Sequence, residues 1–377
     1  MKFRVERDAL ADAVTWTAKS LPSRPSVPVL AGVLLRMSNG TLQISSFDYE
    51  VSSQVGVEVQ GDADGAALVS GRLLAEITKA LPAKPVDIAA VGAHLELVCG
   101  SGRFTLPTMP VEDYPTLPEM PSSAGKVDAA TFAAAVAQVA VAAGRDETLP
   151  MMTGVRLEIE GTTLAMLATD RYRLAMREIE WRPDDPDVSL NALVPARSLH
   201  DTAKTLGPLG GDVTLALSQS GMGEGMIGFA SGTRRTTSRL IDGTNYPPVR
   251  SLFPASHNAE ARVSVSSLVE VVRRVSLVAE RTTPVLLNFN VDGLVVEAGG
   301  TEEARASEAM DAQFSGEPLT IGFNPQYLID GLQHLNAPQA VLRFVDPFKP
   351  AVILPAGDDD EILPGYRYLI MPIRVNR

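Results

Sequence analysis

The order of segments along this chain runs through three times, and a repeat of that length restricts the fold to three copies of one domain plan. Each copy opens with a short strand, a helix start and an amphipathic helix: FRVERDALADAVTWTAKSLP from Phe3, GKVDAATFAAAVAQVAVAAG from Gly125 and ARVSVSSLVEVVRRVSLVAE from Ala261. Asp8, Asp128 and Ser266 are the expected helix-start residues. Leu10, Val14 and Ala18, then Phe132, Val136 and Val139, then Leu268, Val272 and Val275 fall at helical spacing and predict one apolar face each. A hairpin of alternating residues follows from Thr41, Thr163 and Gly293. A strand then runs into a second helix from Ala67, Ala192 and Leu319, with Leu73, Ile77 and Leu81 matched to Leu199, Ala203 and Leu206 and to Leu328, Leu332 and Leu335. A closing pair of strands starts at Val86, Val213 and Ala340.

The second helical segment recurs at steps of 125 and 127 residues, and the closing pair at 127 and 127. Boundaries are expected in the loops SSAGK (122–126) and PASHNAE (254–260), which makes the domains 1–122, 126–253 and 260–377. Each would hold about two helices on one side of seven or eight strands, an α+β plan with antiparallel sheets.

Charge and composition narrow the function. The 33 basic residues against 45 acidic ones leave a net charge of −12, which argues against a protein held to nucleic acid by its overall field and still allows a locally basic surface. Cys99 stands alone, so a disulfide framework and a Cys-rich zinc site are both excluded. Acidic residues occupy the place of a signal-peptide core and no stretch approaches the length of a membrane span, so the expected compartment is the cytoplasm. Asn39-Gly40 reads as a hairpin turn.

Catalytic and cofactor signatures are missing. His94, His200, His257 and His334 have no neighbours at metal-ligand spacing, and neither a phosphate-cradling glycine loop nor a nucleophile elbow is present. Glycine-rich SQSGMGEGMIG (218–228) reads as a hairpin loop. Asp48 with Glu50, and Glu302 with Glu303, are pairs of the kind a hydrolase uses, but on exposed strands they read as a solvated face. No cofactor and no metal is expected.

Five strings in order, SRPSVPVLAGVLL (23–35), TDRYRLAMRE (169–178), LIDGTNYPPV (240–249), IGFNPQYLIDGL (321–332) and YLIMPIRV (368–375), resemble the bacterial sliding-clamp family, the β subunits of DNA polymerase III. The resemblance spans the whole chain. It departs from the family at DRYR (170–173), where a DGHR-like turn is usual, and at Asn376 and Arg377, which extend past the usual end.

That resemblance implies a non-catalytic homodimer whose six domains close around duplex DNA, independent of sequence, with helices lining the hole. On it, Arg24, Arg72, Arg197, Lys79, Lys204 and Met151 are the expected DNA contacts, with Arg273 and Arg274 on the corresponding helix of the third repeat. Short linear peptides of the replicative polymerase α subunit, the clamp-loader δ subunit and other polymerases and repair proteins would dock in a cleft. Its expected walls are Met152, Thr169, Arg171, Tyr172, Arg173 and Leu174, then Pro247, Ser251 and Leu252, then Asn324, Tyr327, Phe348, Met371, Pro372, Ile373 and Arg374. The expected dimer seam sets Ile77, Leu81, Phe104 and Leu106 against Leu277 and Val278, with Lys79 and Arg103 facing Glu302, Glu303 and Glu308. A protein-binding repeat scaffold and an acidic-cleft hydrolase are the alternatives.

Overall fold

The structure is a computed structural model that describes residues 1–218, 225–279, 283–299, 304–359 and 361–374. The loop 218–228 read from the sequence therefore lies largely outside the described residues. Six α-helices occur among the described residues, two per repeat: α1 Arg7–Ala18, α2 Gly71–Ala80, α3 Ala129–Ala140, α4 Ala196–Leu206, α5 Val265–Val275 and α6 Pro325–Gln333. Strands supply nearly all the rest, and every named strand pairing is antiparallel. The Asn39-Gly40 dipeptide forms the expected two-residue hairpin turn, with φ of 50° and 76°.

The first helix of each repeat buries the predicted apolar face, apart from half-buried Ala18: Leu10 and Val14 in α1, Phe132, Val136 and Val139 in α3, Leu268, Val272 and Val275 in α5. Their starts differ in detail. Glu6, not Asp8, precedes α1, and the α5 cap is Ser264, whose hydroxyl accepts the Ser267 N–H, not Ser266. The predicted face of α2 is displaced by one residue. Leu74, Thr78 and Leu81 are buried, while Leu73 is exposed and Ile77 half-buried. The alignment that pairs Arg72 with Arg197 and Lys79 with Lys204 explains this, since it sets Leu74 and Thr78 opposite Leu199 and Ala203. The Thr78 hydroxyl donates to the Leu74 carbonyl, which lets a polar residue hold an interior helix position.

The chain divides into two compact units that follow the sheets instead of the repeats: Met1–Ala130, Arg182–Asp185 and Lys204–Leu240 form one, and Thr131–Trp181, Pro186–Ala203 and Ile241–Arg377 the other. A 14-stranded sheet runs through the first unit. The second holds a 9-stranded and a 4-stranded sheet. Sheets outgrow repeats because the fourth strand of one repeat pairs with the last strand of the next. In the first unit Val51–Glu58 pairs with Arg234–Arg239, from Val51↔Ser238 to Val55↔Arg234. In the second, Arg173–Glu180 pairs with Tyr366–Ile370, from Arg173↔Ile370 to Arg177↔Tyr366.

The two ladders carry different side chains. In the first, Ser52, Ser53, Thr236, Thr237 and Ser238 are buried, and the Ser52 and Thr237 hydroxyls are hydrogen-bonded at 2.6 Å. In the second, Arg173, Tyr366 and Tyr368 are buried instead. The Tyr366 hydroxyl donates to the Gln138 carbonyl at 3.1 Å and the Tyr368 hydroxyl to the Tyr327 carbonyl at 2.8 Å. These buried hydroxyls thus have partners, as a water-excluded interior requires, whereas Arg177 Nε of the second ladder is buried without one.

Candidate functional site

The turn 170–173 organises the second unit's candidate cleft. Asp170 Oδ1 accepts the N–H groups of Tyr172 and Arg173, both at 3.0 Å, an Asx turn that holds Arg171 between them at φ 78°. That left-handed backbone costs a side-chain-bearing residue roughly 1–2 kcal/mol. Arg171 therefore stands where the family resemblance led us to expect glycine, and its guanidinium lies 6.0 Å from the Tyr172 ring centroid.

Arg173 points inward. Its Nε donates to Asp170 Oδ2 at 2.9 Å and its Nη1 to Asp330 Oδ2 at 2.6 Å. Burial works against the charge, but Tyr368, Asp330 and Asp170 more than offset it and leave the guanidinium harder to deprotonate than usual. Asp330 belongs to α6, whose N-cap Asn324 accepts the N–H groups of Gln326 and Tyr327. Tyr327 stacks on Tyr172 with centroids 6.3 Å apart. The C-terminal strand closes the group, because the Met371 N–H donates to the Tyr172 carbonyl at 2.8 Å and the Ile373 N–H to the Gly322 carbonyl at 2.8 Å.

These residues border a cavity of about 500 Å³ that gathers Met152, Arg171, Tyr172, Arg173 and Tyr327 from the predicted wall. It adds Arg145, Asp146, Leu149, Asp170, Gln326 and Asp330, which the sequence reading missed. The one signal for Asp330 is positional, since it lies three residues after Tyr327 on the same helical face. Arg145, Asp146 and Leu149 lie in a loop with no periodicity to read.

Other predicted wall residues are placed differently. Leu174 is buried in a core cluster with Leu167, Met176, Tyr246, Val249 and Leu369, which removes it from any surface. Thr169 is also buried, and its hydroxyl donates to the Arg173 carbonyl and accepts the Arg171 N–H, so it shapes the turn and presents nothing. Asn324 spends its side-chain oxygen on the α6 cap. Leu252, Phe348 and Met371 are exposed apolar side chains, Ser251 and Arg374 are exposed, and Pro247, Pro372 and Ile373 are half-buried.

Among the expected DNA contacts, Arg24, Arg72, Lys79, Arg197 and Lys204 are all exposed. Arg72 Nη2 donates to the Pro22 carbonyl at 3.2 Å, which steadies the loop carrying Arg24. Arg197 shares a cavity of about 580 Å³ with Arg145, His200 and His334. Met151 is half-buried and packs against the cluster of Leu174 and Leu369. Arg274 is engaged by Glu308 through Nε at 3.0 Å and Nη2 at 2.7 Å.

The seam prediction also needs correction. Leu81 and Leu106 are buried inside their own repeat, so neither presents a face. Leu277 is 85% exposed and Phe104 36%, Arg103 is exposed, and Ile77 and Val278 are half-buried. Glu308 is bound by Arg274 of its own chain, which lowers its pKa. Glu302 and Glu303 lie outside the described residues. Among the described residues no cluster of three His, Cys, Asp or Glu could hold a metal, and no helix is long and apolar enough to cross a membrane.

Comparison with known proteins agrees along the whole length. The DNA polymerase III beta subunit family matches in three consecutive stretches, its N-terminal domain over residues 1–118, its central domain over 126–248 and its C-terminal domain over 250–374. The beta sliding clamp of Streptomyces coelicolor is 53% identical over 100% of both chains, and the beta sliding clamp homolog GriR of Streptomyces muensis 42% over 100% of both. The crystal structure of a Pseudomonas aeruginosa DnaN sliding clamp bound to griselimycin superposes with TM-score 0.90 at 28% identity, covering 100% of each chain. The DNA polymerase sliding clamp of Bacillus subtilis gives 0.90 at 26%, again over 100% of each. The chain thus belongs to the β sliding-clamp family of bacterial DNA polymerase III β subunits, three clamp domains that act in DNA replication as a processivity factor without catalysis of their own.

Proposed function

We propose that two copies of this chain join head to tail into a ring that encloses duplex DNA, and that the strongest support is the pair of unfilled sheet edges at the ends of the repeat series. The third repeat's strand Arg305–Met310 has no successor, and among the described residues it is bonded on one side only, to Gly293–Gly299. The first repeat's closing strand Gly102–Met109 has no predecessor. It pairs with His94–Cys99, and on its other side only Thr108 and Met109 are bonded, to Val69 and Leu68. Open edges of this kind invite strand addition. Extending the register of the two internal ladders to 304–308 and 102–106 sets Gly102 opposite Glu308 and Arg103 opposite Ser307 of the partner copy. Exposed Leu73, Phe104 and Leu277 supply the apolar surface that such a seam needs.

On this reading the domains are 1–122, 126–253 and 260–377, and the ring works in the cytoplasm on chromosomal DNA. Arg24, Arg72, Lys79, Arg197 and Lys204 give weak, sequence-blind attraction to phosphates, suited to sliding. The cleft around Tyr172 and Tyr327 takes short peptides with a glutamine and two apolar anchors from the polymerase α subunit, the clamp-loader δ subunit and repair enzymes. An open cavity with stacked tyrosines and adaptable Met152 suits that task.

The test is an Arg103→Cys and Ser307→Cys double variant, whose sulfurs the register brings within disulfide range. Oxidation should give a covalently closed dimer that stays on nicked circular DNA after loading by a clamp loader with ATP and is released on linearisation. A variant that stays monomeric on a denaturing gel, or equal retention on linear DNA, overturns the ring.

A further inference from the structure

The second unit holds another cavity, of about 480 Å³, between the connector that follows the middle repeat and the closing strands of the third. Its floor is apolar, formed by Phe253, Val352, Leu354 and Ile362. Its rim is cationic. Arg343 donates through Nε to Glu260 Oε2 at 2.9 Å, and the same carboxylate also takes Arg262 at 3.7 Å and His257 at 3.6 Å. One carboxylate is thereby shared among two guanidiniums and an imidazole. Arg367 lies 5.9 Å from the Phe253 ring centroid and has no ion-pair partner among the described residues. No carboxylate lines this cavity among the described residues, and the side chains of the nearby Asp358, Asp359 and Glu361 are not among its walls.

The strand Tyr366–Ile370 links this cavity to the cleft: Arg367 lines the cavity beside Phe253, and Met371, four residues on, donates its N–H to the carbonyl of the cleft residue Tyr172. Phe253 itself belongs to the core between them. Its ring packs against the cluster of Leu174, Val249 and Leu369 on one side and the cluster of Val341, Val352 and Leu354 on the other. An extended chain rising roughly 3.3 Å per residue and running alongside the strand Tyr366–Ile370 would cover the separation of Arg367 from Met371 in about four residues. The volume is within the range of ordinary ligand pockets, roughly 300–1,000 Å³.

We propose that this cavity receives an acidic residue next to an apolar one, in the segment of a partner chain that flanks the peptide held in the cleft, a role that rests on the cleft reading above. The apolar side chain covers Val352, Leu354 and Ile362, and the carboxylate meets Arg367 and the free edge of Arg343. Charge-assisted hydrogen bonds of this kind are the strong class, and the guanidinium fork matches a carboxylate.

Two measurements test it. N-acetyl-Glu-Phe-amide, titrated into the full-length protein with labelled methyl groups, should shift the Ile362 signal, and Arg367→Glu should abolish the shift. A fluorescein-labelled peptide with one Gln and two Leu, lengthened at either end by Gly-Gly-Glu-Phe, should bind about tenfold tighter than the unextended probe on one of the two sides, a difference of about 1.4 kcal/mol. Arg367→Glu should remove that gain without changing the unextended probe, and a Lys-Phe extension should restore it. Binding of the unextended probe with neither shift nor gain overturns this inference. A shift at Ile362 with no binding of the unextended probe supports the pocket and overturns the cleft.

Discussion

The Arg173 guanidinium stands 4.4 Å from the centroid of the Tyr327 ring, so an arginine from the middle repeat and a tyrosine from the last are joined at the centre of the cleft. Asp170 and Asp330 hold that arginine from either side, and both have side chains that are mostly shielded from water. Replacing Arg173 by Met would keep its bulk and strand two carboxylates. We expect a loss of about 3–5 kcal/mol in the second unit, because removing one partner of a buried ion pair leaves uncompensated charge. Denaturant midpoints for Arg173→Met and for Arg173→Met with Asp330→Asn check this, and the double variant should recover part of the loss.

Arg171 bears on stability and recognition in opposite directions. Arg171→Gly removes left-handed strain of roughly 1–2 kcal/mol and adds the chain entropy of glycine, so the net gain should be about 0.5–1 kcal/mol. The same change strips a cation from the cleft wall, and peptide affinity measured by fluorescence anisotropy should fall. A variant that is both less stable and unaltered in affinity would contradict the assignment.

Seam and core can be separated with two variants. Phe104→Ala with Leu277→Ala should sediment as a folded monomer at concentrations where the parent is dimeric, since exposed apolar anchors act at an interface. Leu106→Ala should instead lower the unfolding free energy by about 2–5 kcal/mol, the cost of a buried cavity, because its side chain is enclosed in its own repeat.

Reversing Arg24, Arg72 and Arg197 to Glu should weaken DNA retention while leaving the sedimentation coefficient unchanged. The deficit should shrink as salt rises, given a Debye length of about 8 Å at physiological ionic strength. Equal retention by variant and parent at low salt would remove these arginines from the DNA-facing role.

Acid sensitivity has a defined sign. Asp87 is held below its ordinary 3.8 chiefly by its hydrogen bond to Arg4, and Glu308 below its ordinary 4.5 chiefly by its hydrogen bond to Arg274. Carboxyls with lowered folded pKa values contribute stability that is full above the ordinary values and is lost as pH falls through the folded ones. Unfolding midpoints should therefore drop below about pH 4, and Asp87→Asn should flatten that part of the curve. A steeper acid slope in Asp87→Asn would reverse the argument.

The repeat, its spacing and the apolar face of each first helix could be read from the chain because they are local or periodic. The face of α2 was misread because Leu73 and Leu74 are adjacent and equally apolar, and only the position of Arg72 relative to Arg197 decides between them. Leu174 was placed on a surface by family position, and Leu81 and Leu106 by the charge pattern around them, whereas burial depends on what packs over a residue from far along the chain. The pairing of Val51–Glu58 with Arg234–Arg239 joins residues about 180 apart and leaves no periodic trace, so the division of the middle repeat between two units was not visible. Within the cleft, the aromatic and cationic members were found and Asp330 was not, since its role follows from a buried arginine that a sequence does not mark as buried.

The two internal ladders are lined with chemistries that do not exchange. A chain whose three modules present look-alike strand edges could in principle cross-pair during synthesis, or thread with a neighbouring chain into an open polymer. The hydroxyl pair of Ser52 and Thr237 guards against this, since setting Val51–Glu58 against the strand Tyr366–Ile370 in the same register would place Ser52 opposite Leu369 with no hydroxyl to meet it, and would leave Arg173 without Asp330. Each edge therefore acts as a key for one lock, and the order in which the modules assemble is written into the strands that join them.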